Sequence, residues 1–170
     1  MQAQRNSKRP AAARWASALL GGALSAVLVS LLAVGPAQAQ ANRYTVSADG
    51  SMVADGRTGL VWQRCALGQV PPSCIGTATT FTHEQALTAA ANQAGAGWRL
   101  PNVKELVSLV DRTVVVPTID ALAFPGTPAT WFWSSSPVVG SPSLAWYVFF
   151  NDGYVGNSYR SNPLAVRLVR

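Results

Sequence analysis

Lysine, histidine and acid are scarce in this chain, and each scarcity removes a class of chemistry. Beyond Arg14 the only lysine is Lys104, so the positive charge of that region is otherwise arginine. His83 is the sole histidine. A Ser-His-Asp site would have to bring it to Ser134, Ser135 or Ser136, and no nucleophile elbow surrounds those serines. His83 falls at a predicted helix start, where an exposed or capping role is expected. The 7 acidic residues are scattered along the sequence, whereas calcium requires about six to eight oxygen ligands. No catalytic residue, metal site or cofactor is therefore expected. There are only two cysteines, Cys65 and Cys74. They lack the CxxC spacing and the nearby histidine of a redox or metal pair. In an oxidising compartment they would pair without ambiguity, stapling a loop that holds Gly68, Pro71 and Pro72 for about 2–3 kcal/mol.

The N-terminal region reads as a targeting segment. Arg5, Lys8, Arg9 and Arg14 precede an uncharged run from Trp15 to Val34, broken by Gly35-Pro36. Ala37-Gln38-Ala39 has the small-x-small pattern of a signal peptidase site, and Ala39-Gln40-Ala41 is a second candidate. Residues 1–41 are expected to be a cleaved secretory signal. The rival is an uncleaved anchor, since the run is long enough to span a bilayer. Its many Gly, Ala and Ser residues and the cleavage site argue for the signal. The whole chain has a net charge of +6. Removing the four leader cations from 13 basic residues leaves 9 against 7 acidic, a net charge of only +2. The overall positive charge is thus poor support for nucleic-acid binding. Residues 42–170 suit one domain with one core. No membrane insertion is expected after cleavage, and the location is periplasmic or extracellular.

Turn and cap residues divide that domain. Asp49-Gly50 and Asp55-Gly56 punctuate short extended pieces, and Thr58 to Gln63 reads as a strand. Thr82 with Gln85, and Asn102 with Glu105, have capping-box spacing. They predict one helix through Ala91, stopped by Gly95 and Gly97, and a second running to about Val110 with Leu106, Val107, Leu109 and Val110 as its buried stripe. Leu144 to Phe150 is β-prone, Asn151-Asp152-Gly153 is a turn, Tyr154-Val155 starts a return strand, and Leu164 to Arg170 is the last strand. Strands, two helices and a strand meander make an α+β fold.

Certain strings recur together in a known family. They are Thr58-Gly59-Leu60-Val61-Trp62-Gln63, Gly97-Trp98-Arg99-Leu100-Pro101-Asn102 with Glu105-Leu106, Trp133-Ser134-Ser135-Ser136, Ala145-Trp146, Phe150 through Gly153, and Val166-Arg167-Leu168-Val169-Arg170. The chain resembles the Legionella collagen-like protein C-terminal domain family from about Tyr44 to Arg170. The resemblance implies a C-type-lectin-like fold, with two helices packed on short antiparallel sheets and long loops. It also implies surface or periplasmic placement and adhesin-like binding of glycans, sulfated polysaccharides in particular. This chain has no Gly-x-y collagen stalk, so a stalk-held trimer is not assumed, although a homo-oligomer stays open. Phe150-Asn151-Asp152 resembles the Trp-Asn-Asp calcium motif of sugar-binding C-type lectins, but the accompanying upstream tripeptide is missing.

Aromatic rings and arginines remain as candidate ligand contacts. Trp62, Trp98 and Trp146 sit in strand or motif contexts and are expected in the core. Trp131, Tyr154 and Tyr159 lie nearer loops and turns. Arg160 sits in a polar stretch with Asn157, Ser161 and Asn162, and a guanidinium fork suits sulfate or carboxylate. Arg99 and Arg167 are expected to form internal ion pairs with acids such as Asp111 or Glu105. Lys104 and Arg112, both placed on the second helix, would add a mild basic surface. The expected ligand-binding set is Trp131, Ser134, Tyr154, Asn157, Tyr159 and Arg160, on loops from Trp131 to Ser136 and from Gly153 to Asn162. The expected role is a secreted, non-enzymatic module that binds a glycan. The alternative is a protein-interaction or structural subunit of the envelope or an appendage.

Overall fold

The computed structural model describes residues 42–170. The expected signal segment and both cleavage sites lie outside the described residues. Strands β1 (Tyr44–Val46), β2 (Met52–Asp55) and β3 (Val61–Gln63) form an antiparallel sheet in chain order. Two aspartates shape its turns. Asp49 accepts from the Ser47 and Ser51 hydroxyls. Asp55 accepts from the Arg57 amide at 2.9 Å, the Thr58 hydroxyl at 2.8 Å and the Arg43 guanidinium at 2.6 Å. Capture of Thr58 by Asp55 is why β3 starts at Val61 and not at Thr58.

The second sheet has five strands in the order β4 (Thr80–Phe81), β8 (Leu164–Ala165), β5 (Trp131–Val138), β6 (Ser141–Phe149) and β7 (Tyr154–Tyr159). All neighbours are antiparallel except β5 and β8. Helix α1 (His83–Ala91) opens on the reciprocal Thr82–Gln85 capping box. Helix α2 (Val103–Val107) opens on Asn102 and Glu105. Glu105 also anchors Arg99, whose two amino groups each meet one of its oxygens at 2.7 Å, so the expected Arg99 ion pair is present. Helix α2 ends three residues earlier than the pattern predicts. The amides of Ser108, Leu109 and Val110 reach back to the carbonyls of Glu105, Leu106 and Val107, a tighter turn that still buries Leu109. Arg112 consequently lies beyond the helix. The architecture is α+β.

Each face of the five-stranded sheet carries a core. Phe132 and Val148 turn toward α2 and the small sheet, joining Trp62, Leu106, Leu109 and Phe124. Trp133 and Ala145 turn toward α1, joining Ala86, Ala90 and Trp98. The alternation of strand side chains serves both cores at once. Trp62 and Trp98 are buried as expected, but Trp146 is only half-buried.

The closing segment departs most from expectation. Only Leu164–Ala165 is laddered strand. Val166 to Arg170 instead threads between three segments. Gln63 donates to Leu168, Leu67 donates to Val166, and Val169 exchanges backbone hydrogen bonds with Arg99. Every residue from Leu164 to Val169 is buried.

Arg167 is fully buried and, contrary to expectation, has no acid partner among the described residues. Its guanidinium donates to the Gln63 carbonyl at 3.0 Å, to the Arg64 carbonyl, and to the Thr127 hydroxyl at 2.7 Å. It also lies over the Phe124 ring at 4.8 Å. Burial pushes its pKa down to about 9, so it remains charged at neutral pH. Carbonyl dipoles and a ring face replace a carboxylate here because the segment crosses the ends of β3 and the loop before β5, where no acid is placed. Replacing Arg167 by Met leaves buried acceptors without donors. The expected loss is roughly 3 kcal/mol or more in urea unfolding; a loss below about 1 kcal/mol would contradict this role.

Candidate functional site

Strand register assembles one group of aromatic residues on a single sheet face. Trp131 on β5 pairs with Phe149 on β6, and Phe149 pairs with Tyr154 on β7. One step along, Trp133 pairs with Tyr147, and Tyr147 pairs with Gly156. Directly paired residues share a face, so all six positions belong to the α1 side of the sheet. Helix α1 covers only part of that side. Trp133 lies beneath it, edge-on to His83 with ring centres 5.2 Å apart, and is fully buried. The Trp131 row extends past the helix. Trp131 is 47% exposed and Tyr154 is 59% exposed. Between them Phe149 and Tyr147 are half-buried, with ring centres 5.6 Å and 5.9 Å from that of Trp131.

Gly156 makes this surface continuous. A Cβ built there would come within 2.6 Å of the Tyr147 hydroxyl and 2.7 Å of the Tyr154 ring. Both rings therefore lie across the β7 backbone where a side chain would otherwise stand. The turn beside them is tied down from two sides. Asp152 accepts from the Tyr154 amide at 2.9 Å, and Arg112 donates to the Gly153 carbonyl at 3.0 Å. Gly153 has φ of +76°, which suits the hairpin turn expected from Asn151-Asp152-Gly153. The Tyr147 hydroxyl is pushed above its ordinary pKa, first by burial and then by Tyr154 and the Asp152 carboxylate.

The sequence profile of the Lcl C-terminal domain matches residues 51–170. The chain belongs to this family. No curated protein matches the chain. The match starts within the β1–β2 turn, and β1 lies outside it although it pairs with β2 and seats Tyr44 against Phe124 at 5.1 Å. Cys65 and Cys74 are joined, and a disulfide fits a location outside the cytoplasm.

The residues expected to bind ligand do not converge in this Lcl C-terminal domain. Trp131 and Tyr154 share the aromatic face. Asn157 pairs with Trp146, and Tyr159 pairs with Leu144, which places both on the opposite face. Ser134 is fully buried, and its hydroxyl donates to the Trp146 carbonyl at 2.7 Å. Ser135 and Ser136 serve the backbone too, at Pro101 and Val103, within a bulged strand. The segments expected as loops are largely strand: β5 holds Trp131 to Ser136, and β7 holds most of Gly153 to Asn162. Arg160 follows β7 at its far end. Its Nε donates to the Leu144 carbonyl at 3.2 Å, and it lines an open cleft of about 520 Å³ with Thr82, His83, Glu84, Leu87 and Ser161. Tyr147 and Phe149 were missed. Both lie in the β-prone run Leu144 to Phe150, where alternation marks their shared face without showing that half of it stays open.

His83 is buried, not exposed. Its Nε2 donates to the Ser134 backbone carbonyl at 2.9 Å, and its Nδ1 has no partner among the described residues. Burial lowers its pKa, Arg160 pushes the same way, and the bond to Ser134 opposes them. The unfolded chain takes up the imidazole proton near the ordinary value of 6.5, while the folded chain does so only at lower pH. Between those values the unfolded state holds more protons. This contribution is therefore complete above pH 6.5 and lost as pH falls through the folded value. Asp49 and Asp55, held down to about 2, act only below their ordinary 3.8. Thermal melts should show stability falling as the pH drops below about 6.5. In His83→Gln this component should be absent; an unchanged pH profile in that variant would refute the assignment.

Proposed function

We propose that this Lcl C-terminal domain is a secreted, non-enzymatic binding module that recognises glycan in an adhesin-like role. One observation carries the reading: Trp131, Phe149, Tyr147 and Tyr154 lie together on one sheet face and stay open to solvent beyond α1. The apolar faces of sugar rings stack on such side chains. Rigid aromatic rings also lose little conformational freedom on binding. Strands hold these rings more firmly than loops would, which favours a preformed site. The buried disulfide suits export, and the reading places the protein in the periplasm or outside the cell. His83 faces a serine carbonyl and not a serine hydroxyl, which favours binding over hydrolysis.

Trp131→Ala and Tyr154→Ala are each expected to weaken glycan binding about tenfold or more by calorimetry, since each removes a large stacking surface. Both rings are exposed, so thermal stability should change little. Tyr159→Ala, on the opposite face, is the control and should bind as the parent does. Equal losses at all three positions, or none, would defeat this placement. A protein partner in the envelope is the reading left if no glycan binds.

A further inference from the structure

Strand β7 borders the aromatic face and is also the margin of the sheet. It pairs with β6 alone. One bond gives the direction of its backbone groups. The Arg160 amide donates to the Ser143 carbonyl, in register with the β6–β7 ladder. Backbone groups alternate along a strand, so those of Ser158 and Gly156 also face β6, and those of Val155, Asn157 and Tyr159 face outward. The amides of these three and the carbonyls of Val155 and Asn157 meet no partner among the described residues. The Tyr159 carbonyl accepts from the Asn162 amide and keeps a second lone pair.

Such an edge is ordinarily guarded by lysine, proline, a bulge or a very short strand. Strand β7 has none of these guards. Its six residues, Tyr-Val-Gly-Asn-Ser-Tyr, are uncharged, and its pairing with β6 runs without a shift in register. Arg160, just past it, reaches back to the Leu144 carbonyl of β6. Arg112 holds the Gly153 carbonyl at the other end. The Tyr154 ring lies over Gly156, within 2.7 Å of where a Cβ would stand, so it leaves the edge clear. By contrast, β4 and β1 are only two and three residues long, and β3 is covered by the closing segment through Arg170 and Leu168.

The open groups answer one another. With β7 laid antiparallel against a second β7, Asn157 opposite Asn157, Val155 meets Tyr159, and each pair exchanges both of its hydrogen bonds. A slip of one residue would bring opposite faces together. Centring on Gly156 would set Tyr159 against Gly153, whose carbonyl Arg112 already holds. In the Asn157 register a tyrosine lies beside a valine on one face, and Gly156 meets Ser158 on the other, a favourable and an unobstructed pairing. The two Arg160 residues fall at opposite ends, roughly 20 Å apart, beyond effective repulsion at physiological salt.

We propose that β7 is a self-association edge, joining two copies of the domain about a two-fold axis at Asn157 into one continuous sheet. The axis stands perpendicular to the sheet, so both aromatic faces turn the same way. A polymer that binds one face then meets two, which raises apparent affinity without a new contact. That benefit rests on the glycan reading above, whereas the pairing does not.

Analytical ultracentrifugation of the purified, disulfide-intact protein is the test. Edge pairing is a small interface, so a reversible dimer half formed at roughly 0.1 mM is expected. Asn157→Lys sets two ammonium groups opposite each other and should weaken the dimer about tenfold or more, less so in about 0.5 M NaCl. Asn157→Pro removes an amide that β6 does not use, so the dimer should be lost while the thermal midpoint changes little. Asn157→Cys should form a disulfide between copies, because paired Cα atoms lie about 5.5 Å apart; Val155→Cys, facing Tyr159, should not. Trp131→Ala should dimerise as the parent does. A monomer at every concentration up to about 1 mM would overturn the inference. So would a dimer that both Asn157→Lys and Asn157→Pro leave intact, or one that only Trp131→Ala dissolves.

Discussion

A lone buried guanidinium holds the two halves of this domain together. Arg167 joins the carbonyls at the end of the small sheet to the threonine hydroxyl that precedes β5. A charge in a core is costly unless its donors are occupied. Here two backbone carbonyls and the Thr127 hydroxyl engage its two amino groups, Nε has no hydrogen-bond partner among the described residues, and Phe124 covers the flat side. That demand constrains the neighbourhood. Gln63 and Arg64 must present their carbonyls inward, next to a cysteine that the disulfide then fixes. The flanking residues Val166 and Leu168 fall into one core while Ala165 and Val169 fall into the other.

The bare aromatic face follows from the same arrangement. The five-stranded sheet offers two surfaces, and the domain has too little helix to cover both. One side packs Phe132 and Val148 under α2, the small sheet and the loop around Phe124, leaving Asn157 and Tyr159 open at its far end. The other receives only α1, nine residues long, whose Ala86 and Ala90 allow it to sit close over Trp133 and Ala145. A nine-residue helix is about 13 Å long, shorter than β6. The hairpin end of the sheet therefore projects beyond it, carrying rings that would be core in a larger protein.

Local chemistry was the most legible part of the sequence. Both capping boxes, the Asp-Gly and Asn-Asp-Gly turns, the cysteine pairing and the Arg99–Glu105 pair stand as the residues suggest, because each depends on a few neighbouring positions. Long-range placement was not legible. Trp131 and Trp133 have the same parity on the same strand, yet one is half exposed and the other sealed, a difference made by where α1 happens to lie. Ser134 reads as a polar surface residue until the bulge in β5 aims its hydroxyl at Trp146. Tyr154 and Tyr159 look like members of one group, but five residues along a strand puts them on opposite faces. Arg167 invited a search for an acid because nothing local shows that carbonyls 103 and 104 residues earlier await it.

The threading of Val166 to Arg170 between distant segments also sets the order in which the domain can form. Its backbone partners include Val61, Gln63, Leu67 and Arg99. Loops of about a hundred residues must close before those bonds reward the chain, and topologies dominated by such contacts fold slowly. Helix α1 can gather its own cap early, but neither core is complete until residues 164–169 arrive. A ribosome or export channel delivering the chain from its N-terminal side would therefore release most of this domain still open, with its apolar strands unprotected. Until that last stretch emerges, the domain has no closed surface.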